Sequence, residues 1–234
     1  MIDPNYFFKG FKSIKGVGSP AIALGASFIA IGALLKNLGF SIQESIFSTF
    51  LTYALPGSLV MAESMLIGAS LINIFIAVWL VNARLYPMTV SLMPLLMHEN
   101  QPRWKYYLSC HFIAVSSWLI MKDNYEKIEK ENRIDFWIGI GTATWLVAII
   151  STIIGYVASD LLNKEMLIGL AIVNPVYFMC MMLGAMKTIQ ISLSVILGTI
   201  LGPVFYFLSP EWCILFGGFV AGTIAFLYGE RNGE

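Results

Sequence analysis

The sequence predicts an all-α fold, a polytopic membrane helix bundle of about eight transmembrane helices, of which several are discontinuous. Hydrophobic residues make up 58% of the 234 residues and charged residues only 12%, with a mean hydropathy of +0.77. Soluble domains carry about 25% charged residues, and a globule with half that share would leave large apolar patches in water. We therefore interpret residues 1–234 as a single integral membrane domain in the lipid bilayer.

About eight apolar segments are separated by polar or charged residues. Each is close to the ~20 residues that an α-helix needs to cross ~30 Å of hydrocarbon. The segments lie near residues 20–38, 45–62, 66–83, 105–121, 136–157, 166–185, 188–207 and 212–228. The second and third are the least regular, because a Pro-Gly pair interrupts one and the other continues beyond an arginine.

The distribution of Lys and Arg predicts the orientation, since cytoplasmic loops carry an excess of both. With eight spans, nine of these residues share the side of the N-terminus and four lie opposite, namely Lys36, Arg103, Lys105 and Lys164. Merging the second and third segments into one span removes this bias. We therefore predict a multi-pass protein of the cell (inner) membrane with both termini cytoplasmic.

The segment 122–135 is predicted to be a charged cytoplasmic loop. Its acid-to-base pairs four residues apart, Glu126–Lys130 and Glu129–Arg133, indicate a short solvated helix. A docking site is the alternative, but a solvated face is the more usual role of such a charge run. The net charge is zero and no basic stripe is present, so no nucleic-acid partner is expected.

Prolines are expected to interrupt three apolar segments. Proline removes a backbone hydrogen bond, and in lipid the freed groups need protein partners or a water-lined cavity. Broken helices of this kind often form substrate sites, although Pro and Gly are also common as simple kinks in membrane helices. The expected breaks lie at Pro56, Gly57 and Ser58, at Pro87, and at Asn174 and Pro175.

Arg84 follows about 17 apolar residues and is itself followed by more apolar sequence. A guanidinium beside Asn82 in a broken helix suits bidentate binding of a carboxylate. The alternative is an arginine that extends to the membrane interface as an anchor. Asn82 and Arg84 are therefore candidate substrate-binding residues, and both interpretations of Arg84 stay open.

Glu63 and His111 are candidate proton carriers, because ionisable side chains within membrane segments often relay protons. The alternatives are a loop anchor for Glu63 and a packing histidine for His111. The sequence contains no nucleotide-binding Gly-Lys loop, no His-Glu-x-x-His motif and no Gly-x-Ser-x-Gly elbow, so we expect no cofactor, no metal and no enzyme activity. A membrane-embedded enzyme and a non-transporting scaffold subunit remain as alternative functions.

Short motifs along most of the chain point to a known family. They are Gly18-Ser-Pro20 with Gly25 and Phe28, Ala54-Leu-Pro-Gly-Ser58, Val81-Asn-Ala-Arg84 followed by Tyr86, Phe136-Trp-Ile-Gly139 and Ser151-Thr-Ile-Ile-Gly155. In these motifs the chain resembles a divergent member of the AzlC-type family of branched-chain amino-acid permeases, the large subunit of an exporter.

The resemblance implies secondary export of neutral branched-chain amino acids without ATP hydrolysis. It also implies a small AzlD-type membrane subunit as partner. In such a permease we expect Asn82 and Arg84 to hold the carboxylate of an amino-acid substrate. The broken backbone at Pro56-Gly57 and Asn174-Pro175 would complete the site near the middle of the bilayer.

Overall fold

A computed structural model of the chain describes residues 3–15, 20–99, 101–184, 186, 189–208 and 213–232. The structure is 85% helical and contains no strand among these residues, which confirms the all-α prediction. The chain forms two compact units, Met1–Asn174 and Pro175–Glu234. The interpretation as one membrane domain stays a prediction.

The described residues form twelve α-helices. They are α1 (Pro4–Lys12), α2 (Pro20–Asn37), α3 (Ile42–Thr52), α4 (Leu55–Leu66), α5 (Leu71–Asn82), α6 (Leu85–Leu96), α7 (Arg103–Ser109), α8 (Val115–Asn124), α9 (Arg133–Ala158), α10 (Lys164–Gly184), α11 (Ile189–Leu208) and α12 (Cys213–Asn232). Short 3₁₀ turns lie between α7 and α8 and between α8 and α9. In the second unit, α11 packs against α12.

The first unit is built on the parallel pair α2 and α9. Close approach is possible because glycine faces backbone on both helices: Gly32 contacts the Thr152 carbonyl and Gly155 contacts the Ile29 carbonyl. Small residues allow such contacts between membrane helices, where dispersion rather than hydrophobicity holds helices together. The pair ends at an ion pair between Lys36 and Asp160, 2.8 Å apart. We call this the Lys36 end.

The opposite end, which we call the Lys105 end, contains a buried ion pair. Lys105 Nζ lies 2.8 Å from Asp135 Oδ1, and the two side chains are 0% and 2% exposed. Asp135 Oδ2 also accepts the backbone N–H of Asp3, which caps α1. This network ties α1, α7 and the start of α9 together. A third glycine contact, Gly139 against the Phe7 carbonyl, packs α1 on α9.

Helix α3 enters the unit from the Lys36 end. Next to its start, the Phe40 carbonyl accepts a hydrogen bond from the Tyr156 hydroxyl at 2.9 Å. Two turns further on, the hydroxyls of Thr49 and Thr152 lie 3.0 Å apart. The helix then ends at Tyr53, whose φ of 36° is left-handed. Helix α3 therefore stops partway along α9.

Helix α4 turns back toward the Lys36 end. Ala62, in its second half, lies in the apolar cluster that includes Phe28, Ile31 and Leu35 of α2. Helix α5 follows after a short turn and runs antiparallel to α4, since Gly57 near the start of α4 contacts Asn82 at the end of α5. Helices α3 and α4 thus form a re-entrant hairpin, which we call hairpin 1.

Helices α5 and α6 form one bent crossing. Their axes differ by 49° at the two-residue turn Ala83–Arg84. Near the end of α6, the Leu95 carbonyl accepts a hydrogen bond from Arg133 Nη1 at 3.1 Å, at the first residue of α9. The pair therefore runs from the Lys36 end to the Lys105 end.

Helices α7 and α8 form a second re-entrant hairpin, hairpin 2, which enters from the Lys105 end. Lys105 of α7 pairs with the start of α9, and the Ser109 carbonyl accepts a hydrogen bond from Trp137 Nε1 at 3.3 Å. After a break at Ile113 and Ala114, α8 returns, and Met121 near its end packs in one cluster with Trp137. The two hairpins therefore enter the unit from opposite ends.

This arrangement corrects the predicted span assignment. The prediction placed Lys105 and the loop that leads to Asp135 on opposite sides of the membrane, whereas the structure pairs the two residues. The segment 105–121 is therefore a hairpin and not a span. The segment 45–62 is likewise a re-entrant hairpin rather than one continuous helix. Helix α6, which the prediction left out beyond Arg84, completes a crossing. By length and composition, the described residues contain three spanning helices, or four with the bent pair, so the count of eight is not confirmed.

The expected helix breaks are confirmed at two of three prolines. Helix α3 ends three residues before α4 starts beside Pro56, and α5 ends at Asn82, just before Pro87. The break expected at Asn174 and Pro175 is wrong, because α10 runs through both positions as one helix. A proline removes only one hydrogen bond, and a helix can pass through it with a local adjustment. The side chains of Asn174 and Pro175 lie outside the described residues.

The charged segment 122–135 contains two 3₁₀ turns, Tyr125–Lys127 and Lys130–Asn132, rather than the expected single helix. Its acids and lysines are mostly exposed. Arg133 instead turns inward, and its Nε donates to the Ile128 carbonyl at 3.0 Å. The segment is therefore a solvated cap over the Lys105 end.

Cysteine labelling tests the re-entrant assignment of hairpin 2. Arg103→Cys and Asp123→Cys, each in a background without the native cysteines, should react with an impermeant maleimide from the same face of the membrane, since both residues are exposed at the Lys105 end. Leu161→Cys, exposed beyond the other end of α9, is the control and should react from the opposite face. Labelling of positions 103 and 123 from opposite faces would show that the segment spans.

Candidate functional site

The tips of the two hairpins meet beside the middle of α9. The rings of Tyr53 in hairpin 1 and His111 in hairpin 2 have centroids 6.2 Å apart. Trp145, at the midpoint of α9, contacts His111 with a centroid distance of 6.2 Å and Phe50 with one of 4.6 Å. We call Phe50, Tyr53, His111 and Trp145 the tip junction.

One backbone carbonyl joins the two hairpins. In an uninterrupted helix the Phe50 carbonyl would accept from residue 54, but the left-handed Tyr53 ends α3 first. The Phe50 oxygen instead accepts from His111 Nε2 at 3.0 Å and from Trp145 Nε1 at 3.3 Å. A carbonyl only accepts, so His111 Nε2 carries the proton in this bond. The freed carbonyl thus has two side-chain donors.

Tyr53 is the strained residue of the tip. A left-handed φ is uncommon for residues other than glycine, and such strain concentrates at functional sites. Its ring is buried and stacks on Phe28 of α2 at 6.4 Å. Its hydroxyl lies near that of Thr144 but makes no hydrogen bond to a described residue. The tip therefore holds a polar group inside an apolar wall.

Asn82 lies directly against the first turn of α4. A methyl group added at Gly57 would lie 2.6 Å from Asn82 Nδ2, well inside van der Waals contact, so any larger residue would push the Asn82 amide away. Asn82 Oδ1 and the neighbouring Ser58 Oγ have no hydrogen-bond partner among the described residues. The structure thus brings together Gly57, Ser58 and Asn82, as the predicted site requires.

Unpartnered polar atoms concentrate on one side of the first unit. Among the described residues, the buried side-chain atoms without a partner belong to α2–α5 and to the turn between α3 and α4. They are Ser27 Oγ, Ser48 Oγ, Tyr53 Oη, Ser58 Oγ and Asn82 Oδ1. A buried unsatisfied group costs about 1–3 kcal/mol, and most native polar groups avoid this cost. Such a concentration indicates groups kept available for a ligand.

Arg84 lies in the exposed turn between α5 and α6, two residues after Asn82. It makes no ion pair with any described residue. Its role as a substrate ligand or as an interfacial anchor therefore stays a prediction. Of the candidate proton carriers, Glu63 is exposed in the second half of α4, whereas His111 belongs to the tip junction.

Sequence analysis did not single out Phe50, Tyr53 or Trp145. Their roles depend on contacts between distant positions: Phe50 and His111 are 61 residues apart, and Phe50 and Trp145 are 95 apart. The only local signal was the tyrosine directly before Ala54-Leu-Pro-Gly-Ser58, where the helix must break.

Opposed re-entrant hairpins with unpartnered polar groups at their tips define a class of protein. Broken helices that meet near the middle of a bundle are typical of membrane transporters, which bind solutes at such breaks. The more particular identification comes from sequence comparison. The family model described as AzlC protein matches residues 20–162, and the chain belongs to this family. No curated protein and no solved structure is similar enough to the chain to match it.

The matched region contains α2–α9, and thus both hairpins and the tip junction. The AzlC family is associated with branched-chain amino-acid transport. The family match and the apolar helices together identify the chain as a membrane protein of a transport-associated family.

Paired substitutions test the tip junction. His111→Phe or Trp145→Phe keeps an aromatic ring but removes one donor to the Phe50 carbonyl, so each should lower the free energy of unfolding by about 1 kcal/mol. The double variant leaves that carbonyl unpaired beside hydrocarbon and should lose about 1–3 kcal/mol beyond the sum of the single losses. Denaturant unfolding in detergent measures all three. Strictly additive losses would show that the carbonyl does not depend on the two donors.

Proposed function

We propose that the protein is a secondary transporter, a permease subunit of the cell (inner) membrane that exports branched-chain amino acids without ATP hydrolysis. Family membership supports this proposal. The observation that carries it is the group of unpartnered atoms of Tyr53, Ser58 and Asn82 at the break of hairpin 1. The cost of burying these polar groups without partners is explained if a polar solute forms hydrogen bonds with them during transport.

The site suits a solute with one polar and one apolar end. Ser58, Asn82 and the broken backbone at Pro56-Gly57 offer hydrogen bonds, and the Arg84 guanidinium offers charge two residues beyond Asn82. The rings of Phe28 and Tyr53 form an apolar wall at the same tip. A branched aliphatic side chain would lie against that wall while its polar end meets α4.

The opposed hairpins suit alternating access. Each hairpin belongs to one end of the unit, and the two touch through the Phe50 carbonyl and the Tyr53–His111 contact. Movement of hairpin 1 would open the tip toward the Lys36 end, and movement of hairpin 2 toward the Lys105 end. His111, which belongs to this contact, and Glu63 on α4 are the proposed proton carriers.

The corrected topology strengthens the proposed orientation. Of the eleven Lys and Arg residues before residue 164, six belong to the Lys105 end and only Lys36 to the opposite end, and we propose that the Lys105 end is cytoplasmic with the N-terminus. The six are Arg103, Lys105, Lys122, Lys127, Lys130 and Arg133. A cytoplasmic C-terminus also remains part of the proposal.

The proposed partner is a small AzlD-type membrane subunit. Helix α5 offers apolar residues to lipid or to such a subunit, since Leu71, Ile72, Phe75 and Trp79 are all largely exposed. The family resemblance, rather than this surface, is the ground for the partner.

Transport in liposomes tests the function. Counterflow of labelled L-valine or L-leucine should occur with the small subunit present and should not require ATP. Arg84→Lys keeps the charge but loses the bidentate fork, so the rate should fall about tenfold or more, while expression stays near that of the parent.

Arg103→Lys, an exposed arginine of α7 at the Lys105 end, is the matched control and should transport normally. Full transport by Arg84→Lys would reduce Arg84 to an anchor. Failure of the parent protein, with its partner, to move any branched-chain amino acid would contradict the proposed function.

A further inference from the structure

The first turn of α4 offers backbone donors that the protein leaves unused. The first hydrogen bond of this helix is from the Ser58 N–H to the Ala54 carbonyl, 2.9 Å long. The N–H groups of Leu55 and Gly57 donate to no described residue, and the cap residue Ala54 has no side chain that could accept them. Residues 54, 57 and 58 are buried and Leu55 is half-buried, so these donors are not on an open surface.

Hairpin 2 shows the contrast. At the corresponding turn of α8, Ser117 Oγ accepts the N–H of Ala114 at 3.0 Å and donates to the Phe112 carbonyl at 2.6 Å. This serine therefore satisfies the N–H of the cap residue Ala114, although the first turn of α8 has no side-chain cap either. The α4 tip has Gly57 at the position that Ser117 occupies in α8, so it has no serine that could serve its cap residue in the same way.

Two side chains aim at the open turn. Ser58 is 1% exposed, and its Oγ is unpartnered among the described residues. Helical side chains incline toward the helix N-terminus, which directs this hydroxyl over the first turn. Asn82 presses against Gly57 from α5, and its Oδ1 is also unpartnered.

The groups at this turn include both hydrogen-bond donors and a hydrogen-bond acceptor. The N–H groups at a helix N-terminus carry partial positive charge and bind carboxylates. Asn82 Oδ1 is an acceptor, and it suits a cationic donor such as an ammonium group. An inorganic anion would satisfy only the donors, and an amine would satisfy only the acceptor. An α-amino acid zwitterion holds both groups on one carbon and satisfies both.

We propose that the first turn of α4 and Asn82 form a binding site for the zwitterionic end of an α-amino acid. The N–H groups of Leu55 and Gly57, with the Ser58 hydroxyl, bind the carboxylate, and Asn82 Oδ1 accepts the ammonium group. The inference rests on the proposed transport of amino acids and identifies the atoms that recognise them. Gly57 is essential because a methyl group there would displace the Asn82 amide.

Calorimetric titration of the purified full-length protein with three probes tests the site. L-Valine has both charged groups, L-valinamide lacks the carboxylate, and 2-hydroxy-3-methylbutanoate replaces the ammonium group by a hydroxyl. We expect L-valine to bind at least tenfold more tightly than either analogue.

Variants assign each preference to its residue. Asn82→Ala should remove the preference for L-valine over the hydroxy acid and keep the preference over the amide. Ser58→Ala should reduce mainly the preference over the amide. Asn73→Ala, an exposed asparagine two and a half turns earlier on α5, is the matched control and should leave both preferences unchanged.

The outcomes separate this inference from the proposed function. Equal binding of L-valine and L-valinamide by a protein that still transports L-valine would overturn the carboxylate site and leave the function standing. An Asn82→Ala variant that keeps its full preference for L-valine over the hydroxy acid would overturn the role of Asn82. A protein that neither binds nor transports L-valine would overturn both proposals.

Discussion

Hydrocarbon cannot hydrogen-bond to a peptide group, so a helix that breaks inside a membrane needs partners for the groups that it frees. The structure of the first unit depends on how this constraint is met at Phe50. Its carbonyl, freed by the left-handed turn at Tyr53, accepts from His111 on the opposed hairpin and from Trp145 at the middle of α9. Without these donors, the break of hairpin 1 would leave a carbonyl unpaired in hydrocarbon. The same break leaves the first turn of α4 without acceptors, and this turn is the binding site that we propose.

The remaining contacts hold the hairpins at the depth where they meet. Glycine-to-carbonyl contacts bring α2 and α9 close enough to act as one support, and α3 follows α9 through the Thr49–Thr152 bond. At the other end, the Lys105–Asp135 pair fixes α7 to α9. Removal of one partner from such a pair strands a buried charge, so the α7 end of hairpin 2 is firmly placed. A transporter needs this combination of a rigid support and two separately attached tips, because each tip then moves without dismantling the bundle.

The sequence predicted the helical class and the breaks at Pro56 and Pro87, and it assigned to one site Gly57 and Asn82, which the structure brings into contact. The helical class and the breaks could be predicted because they depend on hydropathy and on proline positions, which are local properties of the sequence. The direction of the chain after a break is not local: an apolar segment of 17 residues has the same composition whether it crosses or returns. The pairing of Lys105 with Asp135 decides between the two, and it joins positions 30 residues apart. At Pro175 the sequence predicted a break that the structure does not have, since a proline permits a break without requiring one.

Contact between the two tips is the central claim, and a cross-linking measurement tests it most directly. Phe50→Cys and His111→Cys in one cysteine-free chain should be joined by a short bifunctional thiosulfonate in membranes, because the parent side chain and carbonyl lie 3.0 Å apart. Phe47→Cys with His111→Cys is the matched control, since Phe47 is exposed and about one turn closer to the Lys36 end. Efficient joining of 50 to 111 and poor joining of 47 to 111 is the predicted result. Absence of the 50–111 product, with both cysteines reactive to single-ended reagents, would contradict the meeting of the hairpins.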